Sequence, residues 1–153
     1  YSYFSNKKEL FLECVPLIFE RFFSKGWDRI REETDPYRRL VVRAEVTIPV
    51  IDKFFSIMQL CQEALREDDP KIRKLGEQIY ISIYSPIEED IINGIQQGIF
   101  RAVNPRLYSL LLVSTMDGMK SILTMNPDIS NQSAKEALLD VLTRGLILKK
   151  SVK

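Results

Sequence analysis

The side chains that could do chemistry in this chain are two cysteines and a few acids, because its 153 residues include no histidine. Without imidazole, Ser-His-Asp catalysis, Cys-His catalysis and histidine-bound metal are excluded. Cys14 and Cys61 lie inside helical patterns, where a free cysteine usually acts as a small buried hydrophobe. Two thiols are too few for a disulfide framework or a zinc site. We therefore expect no catalytic residue, no metal and no cofactor, and we predict that the protein is not an enzyme.

Three acids stand out because they interrupt apolar segments: Glu45, Asp52 and Asp117. An acid that faces inward must be paired, protonated or available to a cationic ligand. Alternatively, Glu45 and Asp52 lie on the wet face or pair with the nearby Arg43 or Lys53, since acids are seldom buried. Asp117 lies in a nearly uncharged segment and is the best candidate for a buried, hydrogen-bonded acid with a structural role. The three acids belong to different predicted helices, so paired carboxylates for acid–base catalysis cannot be argued from them.

The elements that must position these side chains are helices. Three helix starts are marked by a capping residue before a proline: Asp35-Pro36, Asp69-Pro70 and Asn104-Pro105. Another start is predicted where Ser133 and Glu136 have the spacing of a capping box. Together with apolar residues at helical spacing, these signals predict helical segments over 7–25, 36–47, 49–67, 71–97, 106–125 and 133–150.

Prolines and glycines mark the expected irregularities. Pro49 makes the second and third segments either two helices or one kinked helix. Pro16 and Pro86 lie inside predicted helices and should kink them. Gly26 and Gly98 should end the helices that precede them. No long strand-like alternation and no internal repeat occurs, so the predicted fold class is all-α: an antiparallel bundle of five to six helices, several of them kinked at proline.

The composition limits the kinds of partner that this chain is expected to bind. The 22 basic residues are balanced by 21 acidic ones, and the net charge of +1 gives no electrostatic footprint for nucleic acid. These residues alone are therefore not expected to bind DNA. No apolar run is long enough to cross a bilayer, so we expect no transmembrane span and no membrane partner.

The beginning of the chain resembles a known family. Asn6 and Glu9 are spaced as a capping box, whereas the aromatics Tyr1, Tyr3 and Phe4 have no partners within the segment. They either fold back onto the core or belong to a unit whose earlier part is absent. The pattern Tyr-x-Tyr-Phe-x-x-Lys-x-Glu-Leu-Phe resembles the junction motif of the TetR/AcrR family of bacterial transcriptional regulators. In that family the motif closes a helix-turn-helix DNA-binding domain and opens the long fourth helix.

The resemblance covers the whole chain and implies an order of domains. Residues 98–105, followed by 110–119, resemble the turn into the eighth helix of the family. The resemblance implies that 1–5 is a remnant of the DNA-binding domain, that 6–25 is the connecting helix, and that 26–153 is the ligand-binding and dimerisation domain. On this expectation the helix-turn-helix domain is missing here.

The same resemblance assigns the residues that would touch DNA. Tyr1 and Tyr3 would end the recognition helix and contact phosphates, and Lys7 would do so from the first turn of the long helix. Ser2 departs from the family pattern, which often has a large aromatic at this position. Operator DNA would therefore be bound only through the missing N-terminal domain.

A small-molecule effector is expected inside the helical cage, because the family encloses a pocket in this region. Tyrosines, prolines and polar groups share the same helices, and mostly apolar concave sites with few polar groups are typical ligand cages. Alternatively, each of these side chains simply fills the core. The residues predicted to bind the ligand are Phe22, Glu45, Phe54, Met58, Tyr80, Tyr84 and Met116.

A homodimer is expected because the last two predicted helices have more apolar surface than one small chain can cover. The family forms its dimer in this way, through a four-helix bundle. The residues predicted at the interface are Leu112, Met119, Ile122, Leu138, Leu142 and Gly145.

The sequence thus predicts the sensing and dimerisation domain of a TetR-like transcriptional regulator. We expect a repressor of the bacterial cytoplasm whose DNA affinity changes when a small, largely hydrophobic effector binds. The alternatives from other classes are a helical protein that carries a small molecule or lipid, and a helical adaptor with a filled core and no role in DNA binding.

Overall fold

The computed structural model describes residues 7–147, without the side chains of Lys7, Lys8, Phe11, Phe19, Phe22 and Phe23. The predicted cap at Asn6 and the aromatics before it lie outside these residues. Within them the regular secondary structure is helical, which confirms the predicted all-α bundle. The helices are α1 Lys7–Glu32, α2 Pro36–Thr47, α3 Ile51–Leu65, α4 Pro70–Gln96, α5 Pro105–Met125 and α6 Asn131–Leu146, with a 3₁₀ turn at Ile48–Val50 between α2 and α3.

The three starts that combine a cap with a proline are confirmed. Asp35 accepts a hydrogen bond from the amide of Arg38 at 2.8 Å, and Asp69 accepts one from Lys71 at 2.9 Å. Asn104 caps α5 by accepting a hydrogen bond from the amide of Leu107 at 3.0 Å. Each cap satisfies a backbone donor that has no partner inside the helix, and the proline after it needs no such partner.

The boundaries predicted for α1 and α6 are wrong. Helix α1 does not end at Gly26 but continues to Glu32. The glycine serves a close approach instead, because a Cβ atom at Gly26 would lie 2.8 Å from the Cβ of Val46 on α2. The cap of helix α6 lies three residues earlier than predicted, because it is Ser130, whose hydroxyl accepts from the amide of Ser133 at 3.0 Å. The helix ends at Leu146, short of the predicted 150.

The end of α4 follows the prediction. Gly98 has a φ of +70°, a backbone conformation that glycine adopts without a steric penalty. The amide of Gly98 bonds to the carbonyl of Ile95, and the amide of Ile99 bonds to that of Gly94 at 2.9 Å. These two bonds form a Schellman motif, which satisfies the last carbonyls of the helix and turns the chain toward α5.

Helix α4 is the centre of the bundle, since it contacts α1, α2, α3 and α5. Its Ile72 and Ile91 are almost completely buried, as are Leu12 of α1, Cys61 of α3 and Val113 of α5. Fully burying an aliphatic side chain of this size stabilises a fold by about 1.5–3 kcal/mol. The core therefore surrounds α4, and the helices around it form the walls of the site described next.

Candidate functional site: a cavity beside helix α4

A cavity of about 350 Å³ lies inside the bundle. This volume is within the range of sites for small organic ligands. Every one of the six helices contributes to its wall. The lining residues are Trp27, Ile30 and Arg31 of α1; Arg39, Leu40, Arg43, Ala44, Val46 and Thr47 of α2; Phe54 of α3; Ser82, Ile83, Pro86 and Ile87 of α4; Leu112, Val113 and Met116 of α5; and Leu138 and Leu142 of α6.

Prolines inside two helices lie in the walls of this cavity and of a second one. Helix α4 continues through Pro86, which has no N–H, so the carbonyl of Ser82 loses its helical partner. Both residues line the cavity. A second cavity, of about 200 Å³, lies at the other internal proline, Pro16 of α1, and shares Trp27 and Ser82 with the first. Each cavity thus lies beside one of the two prolines that the sequence places inside predicted helices.

Most of the wall is apolar, and its charged members are arginines. Arg39 and Arg43 lie one turn apart on α2 and both bind Asp90 of α4. The Nε atom of Arg39 lies 2.7 Å from Oδ1 of Asp90. Arg43 reaches the other carboxylate oxygen twice, from Nε at 2.8 Å and from Nη2 at 2.7 Å. Asp90 is only 2% exposed, so the guanidinium groups take the place of water around a buried carboxylate.

Sequence reasoning missed this cluster. Asp90 follows two other acids, Glu88 and Glu89, and such a run is usually a solvated face. Two signals were available. Asp90 lies four residues before the buried Gly94 and beside the buried Ile91, and α2 carries two arginines at i and i+4. The partner helix of α2 could not be identified from spacing alone, so the pairing could not be found.

Two of the residues predicted to bind ligand, Phe54 and Met116, line the cavity. They approach it from α3 and α5. Met58 lies among the buried core residues and is not part of the wall. The side chain of Phe22 lies outside the described part of α1. The apolar wall is shared among all six helices, and α4 contributes Ile83, Pro86 and Ile87 to it.

Three further residues predicted to bind ligand lie away from the wall. The rings of Tyr80 and Tyr84 pack edge to face, with their centroids 5.5 Å apart, and the guanidinium of Arg106 lies over Tyr84 at 5.9 Å. Glu45 accepts a hydrogen bond from Arg29 of α1 at 2.8 Å. The alternative that Glu45 is paired thus describes its position, although the partner is not the neighbour Arg43 but a residue of another helix.

The residues predicted at the dimer interface divide into two groups. Leu112, Leu138 and Leu142 line the cavity, and Met119 is buried in the core of this chain. The other two face outward: Ile122 is 47% exposed, and a Cβ atom at Gly145 would meet nothing within 4 Å. That any of these six residues lies at a dimer interface stays a prediction. The residues predicted to contact DNA are Tyr1 and Tyr3, which lie outside the described residues, and Lys7, whose side chain does too.

The remaining acids differ from expectation. Asp117, the best candidate for a buried, hydrogen-bonded acid, accepts a hydrogen bond from Gln62 but is only half-buried, whereas Asp90 and Glu9 are buried. Glu9 of α1 forms an ion pair with Lys71 at the start of α4. Asp52 pairs with Lys120 of α5. These pairs join helices and are not arranged around the cavity.

The buried cysteine, Cys61, is unreactive at neutral pH. Burial raises the pKa of the Cys61 thiol to about 11, so it stays protonated at neutral pH. Among residues 7–147, no group of three metal-binding side chains comes together. The helices in this range include none that is long and apolar enough to cross a bilayer.

The chain resembles one solved protein in fold. No protein-family model and no curated protein matches it. A crystal structure from Saccharomonospora viridis, described as that of a transcriptional regulator in complex with choline, superposes with a TM-score of 0.78 at 24% sequence identity. The match covers 97% of this chain and 79% of that one. The likeness establishes that the six-helix arrangement is shared with that structure.

Asp117→Asn should stabilise the protein at neutral pH. Burial raises the pKa of Asp117, while the hydrogen bond that Gln62 donates at 3.4 Å acts weakly in the opposite direction. The folded state therefore binds a proton more tightly than the unfolded chain, and stability falls as pH rises from 3.8 through the raised pKa. The side-chain amide of Asn does not ionise, so the variant avoids this loss. Its free energy of unfolding at neutral pH should rise by less than about 1 kcal/mol, because the site is half-buried.

Thermal unfolding of Asp117→Asn should show a higher Tm than the parent at pH 7.5, by about 2–4 °C at most. The difference should shrink toward pH 4. The control is Asp128→Asn, which changes an exposed acid in the loop after α5. A lower Tm for Asp117→Asn at pH 7.5 would show that the carboxylate is stabilising.

Proposed function

We propose that this chain is the ligand-sensing and dimerisation domain of a TetR-like transcriptional regulator. A small, largely hydrophobic effector binds the cavity beside α4 and changes the DNA affinity of the regulator, which acts as a repressor in the bacterial cytoplasm. The observation that carries the proposal is that α1 forms part of the cavity wall through Trp27 and Ile30. The resemblance of the first eleven residues implies that α1 is the helix that connects the ligand-binding domain to the DNA-binding domain.

The contacts of α1 suit it to transmit a ligand-dependent shift from the cavity to the DNA-binding domain. It is bound to other helices near both ends, by Glu9 to Lys71 and by Arg29 to Glu45. Between these ion pairs Leu12 and Gly26 pack closely against neighbouring helices, whereas Trp27 borders both cavities and has empty space beside it. A ligand that fits one position of Trp27 better than another shifts the population of α1, by no more than its preference between the two states.

In a dimer, such a shift changes the separation of the two DNA-binding domains. Two recognition helices must match successive half-sites in the major groove, about one helical turn of DNA apart. The neighbour from Saccharomonospora viridis supports this function, since its description combines a transcriptional regulator with a bound small molecule. A helical carrier protein would need the cavity but would not need α1 in its wall.

The dimer is supported by an outward-facing stripe on each of the last two helices. The α5 stripe consists of Leu107, Leu111, Gly118, Ile122 and Met125, which share one helical face and are exposed. The α6 stripe consists of Ala137, Val141 and Gly145. A Cβ atom at Gly118 or Gly145 would meet nothing within 4 Å, so another helix could approach closely at both places. We propose that these stripes pack against those of a second copy.

The ligand site is tested by filling it. Ala44 is buried and lines the cavity, so Ala44→Leu should occupy space that a ligand would use. The probe is 1-octanol, and binding is followed by the fluorescence of Trp27, the single tryptophan of the chain. Displacing two methylenes of the probe costs about 0.8 kcal/mol each, so affinity should fall about tenfold.

The control for this titration is Ala102→Leu, which adds the same side chain at an exposed loop position. It should bind octanol as the parent does. Equal binding by Ala44→Leu and the parent would place the octanol site elsewhere. No binding by the parent at all would refute a ligand-sensing role for the cavity.

Disrupting the outward-facing stripe should separate the subunits. Leu111→Glu and Val141→Glu each place a charge at a position that is exposed in the single chain, so folding should be unaffected. Each should cost the dimer at least about 2 kcal/mol, which is about thirtyfold or more in Kd. Light scattering after gel filtration at micromolar concentration measures the mass. Ile81→Glu on α4, also exposed, is the control that should remain dimeric; a monomeric parent would refute the proposed dimer.

A further inference from the structure

The cavity has a marked charge asymmetry. Its charged lining residues are all arginines, Arg31, Arg39 and Arg43, and no carboxylate is among the described side chains of its wall. Arg31 lies at the exposed rim and pairs with Asp28 one turn away. Arg39 and Arg43 lie deeper, with side chains 29% and 17% exposed. The polar part of the site is therefore positively charged.

The buried acid Asp90 neutralises only half of the charge of the two deeper arginines, Arg39 and Arg43. Asp90 is shared by Arg39 and Arg43, so the three groups carry a formal charge of +1. Arg39 also donates to the backbone carbonyl of Glu33 at 3.3 Å, which adds no negative charge. The Glu33 carboxylate instead lies 3.8 Å from Nε of Arg38. Among the ion pairs of residues 7–147, none brings a second carboxylate to Arg39 or Arg43.

An excess cation is most effective where water is partly excluded. The attraction between opposite charges grows as the local dielectric falls, and Arg43 is the less exposed of the two arginines. Arginine also presents its N–H donors in a fork that matches the two oxygens of a carboxylate. Asp90 does not use the fork in this way, because Nε and Nη2 of Arg43 both reach its Oδ2. A second acid on the cavity side would complete the charge balance.

The wall is poorly suited to a quaternary ammonium. Such cations bind to the faces of several aromatic rings, and here Tyr80 and Tyr84 are not in the wall. Trp27 and Phe54 are the aromatic residues among its described members. The neighbour from Saccharomonospora viridis holds choline, but in this chain a cation would meet Arg39 and Arg43, and no carboxylate is among the described side chains of the wall.

We infer that the cavity takes an amphipathic anion: a carboxylate or similar compact acid group joined to an apolar body. The acid group binds Arg39 and Arg43, and the apolar body packs on Phe54, Leu112 and Met116 across the cavity. This inference rests on the proposed ligand-sensing role and adds the chemical class of the effector. It assigns Arg39 and Arg43 as the residues that determine specificity.

The test uses three probes with one apolar tail and different charge: octanoate, 1-octanol and octyltrimethylammonium. Each is titrated into the 153-residue chain at pH 7.5, with the fluorescence of Trp27 as the readout. Octanoate should bind about tenfold more tightly than octanol, as expected for a charge-assisted hydrogen bond in a partly buried site. The ammonium should bind more weakly than octanol.

The variant that isolates the charge is Arg39→Gln. It leaves Asp90 paired with Arg43, so the buried acid keeps a partner and the cluster becomes neutral. Octanoate affinity should fall about tenfold to the level of octanol, while octanol affinity should stay unchanged. The matched control is Arg38→Gln, which removes a neighbouring exposed arginine of the same helix and should preserve the preference for octanoate.

The outcomes separate the inference from the function on which it rests. Tighter binding of octanol or octyltrimethylammonium than of octanoate would overturn the inference and leave a ligand-binding cavity. An equal loss of octanoate and octanol in Arg39→Gln would assign Arg39 a structural role and would also overturn it. Failure of all three probes to bind would refute the proposed sensing function itself.

Discussion

The pairing of Asp90 with Arg39 and Arg43 is the constraint on which the rest of the structure depends. It joins α2 to the central helix α4 at the cavity, with the carboxylate 2% exposed. A buried carboxylate without a partner is strongly destabilising, by several kcal/mol, so α2 must stay beside α4. Burial of a charged group in this way contributes little net stability. Its consequence is the position of two arginines, whose charge the single acid cannot balance.

The apolar part of the cavity has a different origin. Pro86 interrupts the hydrogen bonding of α4 where α4 faces α2 and α5, and the surrounding side chains leave about 350 Å³ between them. Helix α1 closes this space through Trp27, and Gly26 lets α1 approach Val46 closely. The cavity, the arginine pair and Trp27 of α1 thus meet at one place. In the proposed regulator, this arrangement would let a bound ligand act on α1 directly.

The sequence predicted the fold well where the signals are local. The caps at Asp35, Asp69 and Asn104 depend on one side chain and the next three residues, and all three were found. Gly26 was misread as a helix end because its role depends on a distant residue of α2. The site was predicted less completely for the same reason. Phe54 and Met116 follow from apolar periodicity, whereas the cluster at Asp90 requires knowing which helices are neighbours.

The central claim is that a ligand in the cavity moves α1 within a dimer. It is tested most directly by double electron–electron resonance between spin labels at Leu17→Cys, an exposed position on α1. Cys14→Ala removes the other accessible thiol, and buried Cys61 should not react because its pKa is about 11. Saturating octanoate should shift the distance between the two labels. A dimer that binds octanoate with an unchanged distance distribution would contradict the account.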